Sequence, residues 1–271
     1  MHSKRFPRLV KFTLLTIALI LTMNLSVSHA DLYVIAGGGR KVGTEIKALP
    51  YTISESGFYF ITKDLNCPVG NDGITIKKSN VTLDLMGFSL TGVRTNNGKD
   101  GILIKGVGKD IEIRNGVICG FDRHGIVAES GTEGIRVIGL RVKDNLFRAG
   151  IYLLGINNMV RDFTCSENAM SGIYCGNGSL ITGNTCYRNN YGIKAEEGCT
   201  ITNNTCFQND EGMVAGLGST IIGNTCRSNT VYGIKLAGDS YVGQNTCTDN
   251  ITNMNDCPQD HPCSKGLNHA P

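Results

Sequence analysis

A repeated unit of about 20 to 28 residues runs through most of this chain and leaves few folds open to it. The triplet Asn-Thr-Cys recurs in the last four units, and a further asparagine follows each of its cysteines by three residues. Three markers that keep one period identify a solenoid, in which successive repeats stack as coils. The third marker is a glycine followed by an apolar residue, at Gly73, Gly101, Gly125, Gly150, Gly172, Gly192, Gly212 and Gly233.

Each unit has the composition of short β-strands. Alternating segments such as TITNNT are separated by Gly, Asn, Asp and Ser, and no stretch with helical period lies between them. The frame of a leucine-rich repeat is absent. Short strands that return at this interval without helices stack in parallel, at about 4.8 Å per coil. We therefore predict an all-β fold, a single-stranded parallel β-solenoid (β-helix) of about eight to nine coils.

Side-chain alternation predicts which residues of each strand form the core. After the marker glycine, the first and third residues are apolar in every coil, whereas the second is mixed. A strand that is buried on one side requires this pattern. The residues predicted to point inward include Ile102, Ile126, Ile151, Ile173, Ile193, Met213 and Ile234.

The repeats GIYCGNGSLITGNTCYRNN and GIKAEEGCTITNNTCFQND resemble those of the pectin-lyase-like superfamily, and the resemblance covers roughly residues 46–252. The lead-in ALPYTISESGFYFITKDL is similar to the first coils of many secreted bacterial members. The resemblance implies a right-handed coil. It does not select an activity, because the superfamily includes lyases, hydrolases, epimerases and adhesins.

The first 30 residues have the pattern of a signal peptide. A basic stretch precedes the apolar segment FTLLTIALILTMNL, and small residues stand at Ser28 and Ala30. We predict cleavage before a β-helix domain over residues 31–252, which includes an N-terminal cap, and a C-terminal cap or tail over 253–271. The mature protein would be secreted or periplasmic, without a membrane span. Residues 31–271 carry 22 basic and 23 acidic side chains, which argues against nucleic acid as a partner.

Five cysteines in one phase are predicted to fill an inward column. A metal site needs convergent ligands, whereas a stacked column presents parallel thiols about 4.8 Å apart. We therefore favour reduced, metal-free core residues, with disulfides inside the column as an alternative. Cys257 and Cys263 lie beyond the last coil, and we predict that they form a disulfide. The column consists of Cys165, Cys186, Cys206, Cys226 and Cys247.

Six asparagines in one phase are predicted to form a ladder at a turn. Asparagine tolerates the left-handed backbone conformation that a tight turn demands, and its amide can bond to the amides above and below. The six are Asn145, Asn168, Asn189, Asn209, Asn229 and Asn250.

Enzymes of the superfamily usually act on acidic polysaccharides along one outward strand face, and the resemblance implies three templates. The hydrolase template matches His124-Gly125 and an Arg-x-Lys at Arg141, but the coil before His124 offers only Asp100. Inverting hydrolysis needs one carboxylate as the acid and another as the base, so this template fails.

The epimerase template, Tyr-Gly-Phe-Asp-Pro-His-Asp, is similar to the segment CGFDRHG. The segment supplies Asp122 and His124, whereas Cys119, Arg123 and Gly125 replace the tyrosine, the proline and the last aspartate.

The lyase template needs clustered carboxylates that bind calcium, together with an arginine or lysine base. Glu129, Glu196, Lys194 and Arg148 are its candidates, without a tight acidic cluster.

We therefore predict a noncatalytic exported β-helix that binds glycan or another surface partner, with no cofactor and no metal site. The alternative is a divergent polysaccharide lyase or epimerase acting on acidic polysaccharide, with calcium as the cofactor of a lyase. Catalytic residues are not assigned. The candidate glycan-binding residues combine groups that suit sugar hydroxyls and ring faces. They are Asp100, His124, Glu129, Tyr152, Tyr174, Lys194 and Glu196; an ordinary solvated face is the other interpretation of this set.

Overall fold

The computed structural model describes residues 42–96 and 98–255, and the backbone of 264–265. The described residues from Gly43 onward belong to one compact unit. The predicted signal peptide and the predicted disulfide between Cys257 and Cys263 lie outside the described residues. In the part of the chain that is described, no helix is long and apolar enough to cross a membrane.

The described residues form 28 short strands. In chain order they are β1 (Thr44–Glu45), β2 (Tyr51–Ile53), β3 (Gly57–Phe60), β4 (Leu65–Asn66), β5 (Ile74–Ile76), β6 (Val81–Asp84), β7 (Ser89–Thr91), β8 (Ile102–Ile104), β9 (Ile111–Cys119), β10 (Ile126–Ala128), β11 (Arg136–Lys143), β12 (Ile151–Leu153), β13 (Met159–Arg161), β14 (Thr164–Ser166), β15 (Ser171–Cys175), β16 (Leu180–Thr182), β17 (Thr185–Tyr187), β18 (Tyr191–Ala195), β19 (Thr200–Thr202), β20 (Thr205–Phe207), β21 (Glu211–Ala215), β22 (Thr220–Ile222), β23 (Thr225–Arg227), β24 (Tyr232–Leu236), β25 (Tyr241–Gly243), β26 (Thr246–Thr248), β27 (Thr252–Met254) and β28 (Ser264–Lys265).

These strands form two parallel sheets that the chain visits in turn. One strand of each coil enters a ten-stranded sheet, and the remaining strands form an eighteen-stranded sheet. The ten-stranded sheet has the order β2-β5-β8-β10-β12-β15-β18-β21-β24-β27, with the marker glycines in register. The protein is therefore a right-handed parallel β-helix of about nine coils, as predicted.

The core lies inside the coils and follows the predicted alternation. Each inward residue pairs with its counterpart one coil away, so that Ile126 lies between Ile102 and Ile151. All seven residues predicted to point inward have no solvent exposure. The predicted inward column is confirmed.

The marker glycines are required by the close approach of successive coils. A Cβ atom at Gly192 would lie 2.5 Å from the carbonyl oxygen of Gly212 and 2.9 Å from the Nδ2 atom of Asn209. Both are closer than real Cβ contacts allow, and one of the two neighbours is backbone. The glycine and asparagine markers therefore keep one period because they are packed against each other.

The asparagine ladder is present, but its geometry differs from the prediction. Asn209 donates from Nδ2 to Oδ1 of Asn229 at 3.1 Å and to the carbonyl oxygen of Cys186 at 3.0 Å. The left-handed conformation belongs to the residue before each asparagine, such as Gln208 with φ 54°. The asparagine itself turns inward, where its side chain replaces the hydrogen bonds that the bent backbone cannot make.

A second ladder, which the sequence analysis did not identify, lies at another corner of the coil. It consists of the asparagines of the Asn-Thr-Cys triplets, and Asn204 Nδ2 donates to Asn224 Oδ1 at 3.0 Å. Left-handed residues again precede its members, as with Asn203 at φ 56°. The same arrangement, a left-handed residue followed by an inward asparagine, thus occurs at two corners of the coil. The second ladder contains Asn184, Asn204, Asn224 and Asn245.

The predicted cysteine column lies inside the coil, and its five members are at most 1% exposed. The sulfur atoms of Cys165 and Cys186 are 2.6 Å apart, and the later cysteines are register partners in successive coils. Burial raises the pKa of Cys186, Cys206 and Cys226 well above the ordinary value. The thiols are therefore unreactive while the coil is folded.

Replacement of Ile193 by Asp is expected to destabilise the fold by roughly 3–5 kcal/mol, because it buries an unpaired charge between two coils. Val214 points outward in the next coil and is the matched control. Val214→Asp should cost about 1 kcal/mol or less. Urea unfolding followed by circular dichroism measures both. Equal losses for the two variants would contradict the assigned register.

Thiol titration tests the state of the cysteine column. We expect the native protein to react slowly, and denaturant to release several further thiols, because the column is buried and its thiol pKa values are raised. Titration with a chromogenic disulfide reagent, with and without prior reduction, measures both states. Thiols that appear only after reduction, or stoichiometric copper or zinc in the purified protein, would contradict the prediction.

Candidate functional site

The outer face of the ten-stranded sheet presents side chains in columns set by the strand register. One column stands immediately before the marker glycines and contains Asp100 and His124. A second stands two residues after the glycines, where Val127, Tyr152 and Tyr174 are register partners. Because the register is parallel, equivalent side chains of successive coils lie next to each other.

Asp100 and His124 form a hydrogen-bonded pair. Oδ1 of Asp100 lies 2.8 Å from Nδ1 of His124 and also accepts the backbone N–H of His124 at 2.9 Å. The two residues are only 3% and 4% exposed. Both therefore lie beneath the surface, and for these two residues the interpretation as part of an ordinary solvated face is wrong.

The pair fixes the orientation of the imidazole ring. In the tautomer whose Nδ1–H donates a hydrogen bond to Oδ1 of Asp100, Nε2 of the imidazole is the acceptor. No residue in the described ranges forms a hydrogen bond with Nε2. A guanidinium nitrogen of Arg123 lies 3.7 Å from Oδ2 of Asp100, and its side chain is 46% exposed. The geometry is that of an oriented histidine beside an accessible cation.

Aromatic rings extend from this pair along the sheet. The ring of His124 stacks on Tyr152 with centroids 5.1 Å apart, and Tyr152 lies 4.5 Å from Tyr174 in the following coil. Both tyrosines are half-buried. Three rings in consecutive coils thus form a strip with apolar faces and polar edges, which suits contact with sugars.

Charged groups lie where the strip ends. The hydroxyl group of Tyr174 forms a short hydrogen bond with Glu196. The Nζ atom of Lys194 lies 6.0 Å from the ring centre of Tyr174 and 5.4 Å from that of Tyr191. Burial, and then the hydrogen bond to Glu196, raises the pKa of Tyr174. The phenol therefore stays protonated and donates to the carboxylate at neutral pH.

Glu129 is the one candidate that the structure does not bring into this arrangement. It is exposed, and its Oε2 atom accepts the backbone N–H of Gly106 at 2.7 Å. Its role in the structure is to hold a corner of the neighbouring coil. The other six candidates form a connected path, which we call the outer strip: Asp100, His124, Tyr152, Tyr174, Lys194 and Glu196.

The sequence analysis missed polar residues that continue the outer strip. Lys235 lies 3.5 Å from Glu211 and 5.0 Å from the ring centre of Tyr232. The other carboxylate oxygen of Glu211 is buried without a hydrogen-bond partner among the described residues. Their register could have identified them, since Lys235 follows its marker glycine by the same two positions as Lys194.

Metal-binding residue types are dispersed on this face. Nowhere in the described ranges do three or more His, Cys, Asp or Glu side chains converge as metal ligands would. The chemistry that the outer strip itself offers is hydrogen bonding, ring stacking and one oriented imidazole.

Comparison with known proteins gives the family and the fold. A family model described as "Right handed beta helix region" matches residues 124–264, just over half of the chain. No curated protein matches the sequence.

The solved structures that are similar to this one include an epimerase and a phage protein. The periplasmic alginate epimerase AlgG has a TM-score of 0.57 at 13% sequence identity, over 79% of this chain and 69% of that chain. The enzymatically active domain of tailspike protein 2 from bacteriophage CBA120 has a TM-score of 0.62 at 16% identity, over 79% of this chain and 42% of that chain. At these identities the similarity establishes the fold alone.

Proposed function

The chain belongs to the right-handed β-helix family, and on that basis we propose that it is an exported, noncatalytic protein that binds a polysaccharide along the outer strip. The observation that carries the proposal is the unbroken contact from Asp100 through His124 and the two tyrosines to Glu196. Such a path combines ring faces with hydrogen-bonding edges, which is what a saccharide surface requires.

The spacing of the strip suits a linear polymer. Successive coils repeat at about 4.8 Å, so each sugar of an extended chain would meet roughly one coil. Lys194 and Lys235 stand two coils apart in one column and would attract carboxylates of an acidic polymer. The partner we propose is therefore a polysaccharide or a cell-surface glycan, bound without a cofactor.

Two further observations support this function. The N-terminal sequence has the pattern of an export signal, which would deliver the protein to the periplasm or the exterior. The similar structures include a periplasmic alginate epimerase and an enzymatically active domain of a phage tailspike. The first of these acts on a polysaccharide, by its name, with the same fold.

Replacement of both Tyr152 and Tyr174 by Ala is expected to weaken glycan binding by about tenfold or more, because it removes two stacking faces. Tyr241 is exposed on the other sheet, so Tyr241→Ala is the matched control and should bind normally. A glycan array identifies the ligand, and calorimetric titration measures the affinity of each variant. Unchanged affinity of the folded double variant would place the site elsewhere.

A second function is favoured by one specific observation, the buried pair of Asp100 and His124. A histidine oriented in this way could remove the proton next to the carboxylate of a uronate through Nε2. Protonation of the carbanion by water from the opposite face would complete an epimerisation. Departure of the C4 oxygen, protonated by the imidazolium that His124 has become, would complete a lyase reaction. Arg123 would neutralise the substrate carboxylate, whereas no cluster of carboxylates among the described residues fits the calcium of a lyase.

A turnover assay separates the two functions. Wild-type protein is incubated with polyuronates, with and without calcium; absorbance reports unsaturated products, and NMR reports epimerised residues. For a noncatalytic binder we expect neither product, and His124→Gln should change binding alone. Turnover that wild-type protein shows and His124→Gln loses, with Arg161→Gln on the other sheet as the exposed control, would instead establish the enzyme.

A further inference from the structure

The outer face of the eighteen-stranded sheet contains an open depression of about 340 Å³ between β20 and β23. This volume is at the lower end of the range for small-molecule sites. The residues that form the depression lie outside the outer strip. They are Thr205, Phe207, Gln208, Thr225, Arg227 and Ser228.

One residue that lines the depression has a short side chain. Ser228 occupies the left-handed corner position that Arg188, Gln208 and Asp249 occupy in neighbouring coils, and its side chain is the smallest of the four. Ser228 is therefore a local departure from the repeat.

One wall of the depression is aromatic. The ring of Phe207 is half-buried and stacks on Tyr187 of the preceding coil, with centroids 5.0 Å apart and planes inclined by 12°. A ring held in this way presents a fixed apolar face, and it loses little conformational freedom when a ligand stacks on it.

The other groups around the depression can form hydrogen bonds, and the positive charges there are balanced by carboxylates. Arg227 donates from Nε to Asp249 at 3.1 Å, and Arg188 is paired with Glu167 at 3.4 Å. Each cation at this surface thus has its own carboxylate. Among the described residues, the hydroxyl groups of the three short polar side chains in the depression have no hydrogen-bond partner; they belong to Thr205, Thr225 and Ser228.

We propose that this depression is a second saccharide site, which binds a neutral pyranose unit of a glycan. The apolar face of the sugar stacks on Phe207, and its hydroxyl groups bond to the hydroxyl groups of the depression and to the terminal nitrogens of Arg227. A neutral sugar is favoured over a uronate because Asp249 already neutralises the guanidinium group. The site is on another sheet than the outer strip and does not depend on its function.

The decisive variant fills the depression with a side chain that the fold already accepts. Ser228→Gln places in this coil the residue found at the same corner of the preceding coil, Gln208, at the same φ. Phe207→Thr removes the aromatic wall with a residue that the same column carries at Thr248. Both changes are on the outer surface, so the thermal midpoint should stay within a few degrees of wild type.

The probes are the methyl glycosides of glucose, galactose, mannose and N-acetylglucosamine, with glucuronate as the charged comparison. Saturation-transfer NMR detects binding, and titration measures the dissociation constant. We expect at least one neutral glycoside to bind in the millimolar range, with little dependence on salt. Ser228→Gln and Phe207→Thr should each weaken it about tenfold, while the double variant Tyr152→Ala, Tyr174→Ala leaves it unchanged.

Binding that is lost in the double tyrosine variant but unaffected by Ser228→Gln would overturn the second site and support the outer strip. Absence of binding by every neutral glycoside would also overturn it, without bearing on a polymer bound at the outer strip. Exclusive binding of glucuronate, weakened by salt, would refute the neutral ligand.

Discussion

The structure depends on a corner in which a left-handed residue is followed by an inward asparagine. The left-handed residue turns the chain, and the asparagine then bonds to the backbone of one coil and to the asparagine of the next. An unpaired buried backbone group would cost about 1–3 kcal/mol, so a coil that slipped by one residue would lose these bonds at each corner. The ladders thereby fix the register of the parallel strands in the coils that contain them, from Asn145 to Asn250.

Register is also what gives the surface its function. Side chains at one position of the repeat stand next to each other in successive coils. Each outward side chain can therefore contact its counterparts in the neighbouring coils. Tyr152 meets Tyr174 in this way, and His124, from the column before the marker glycines, stacks on Tyr152 of the following coil. Ser228, which lines the depression, is likewise a small residue at a position where Arg188 and Gln208 carry longer side chains. A rigid repeat thus acts as a scaffold on which small local departures make sites.

Part of the candidate site could be predicted from the sequence, because period and alternation place residues in columns. The outward direction of Tyr152 and Tyr174 followed from their distance to the marker glycines. The same reasoning did not show that Asp100 and His124 are buried, or that Glu129 bonds to a neighbouring corner. Burial of an outward residue depends on the loops and side chains around it, which do not follow the period.

The sequence by itself determined the all-β class, the coil, the inward core and the cysteine column, because a repeat with fixed alternation allows one way to bury its apolar residues. Only the tertiary structure decided the chemistry of the surface. The bond between Asp100 and His124 joins residues 24 positions apart, and the wall at Phe207 needs a ring from the preceding coil. Such contacts arise between coils, where distance is set by stacking and not by separation along the chain.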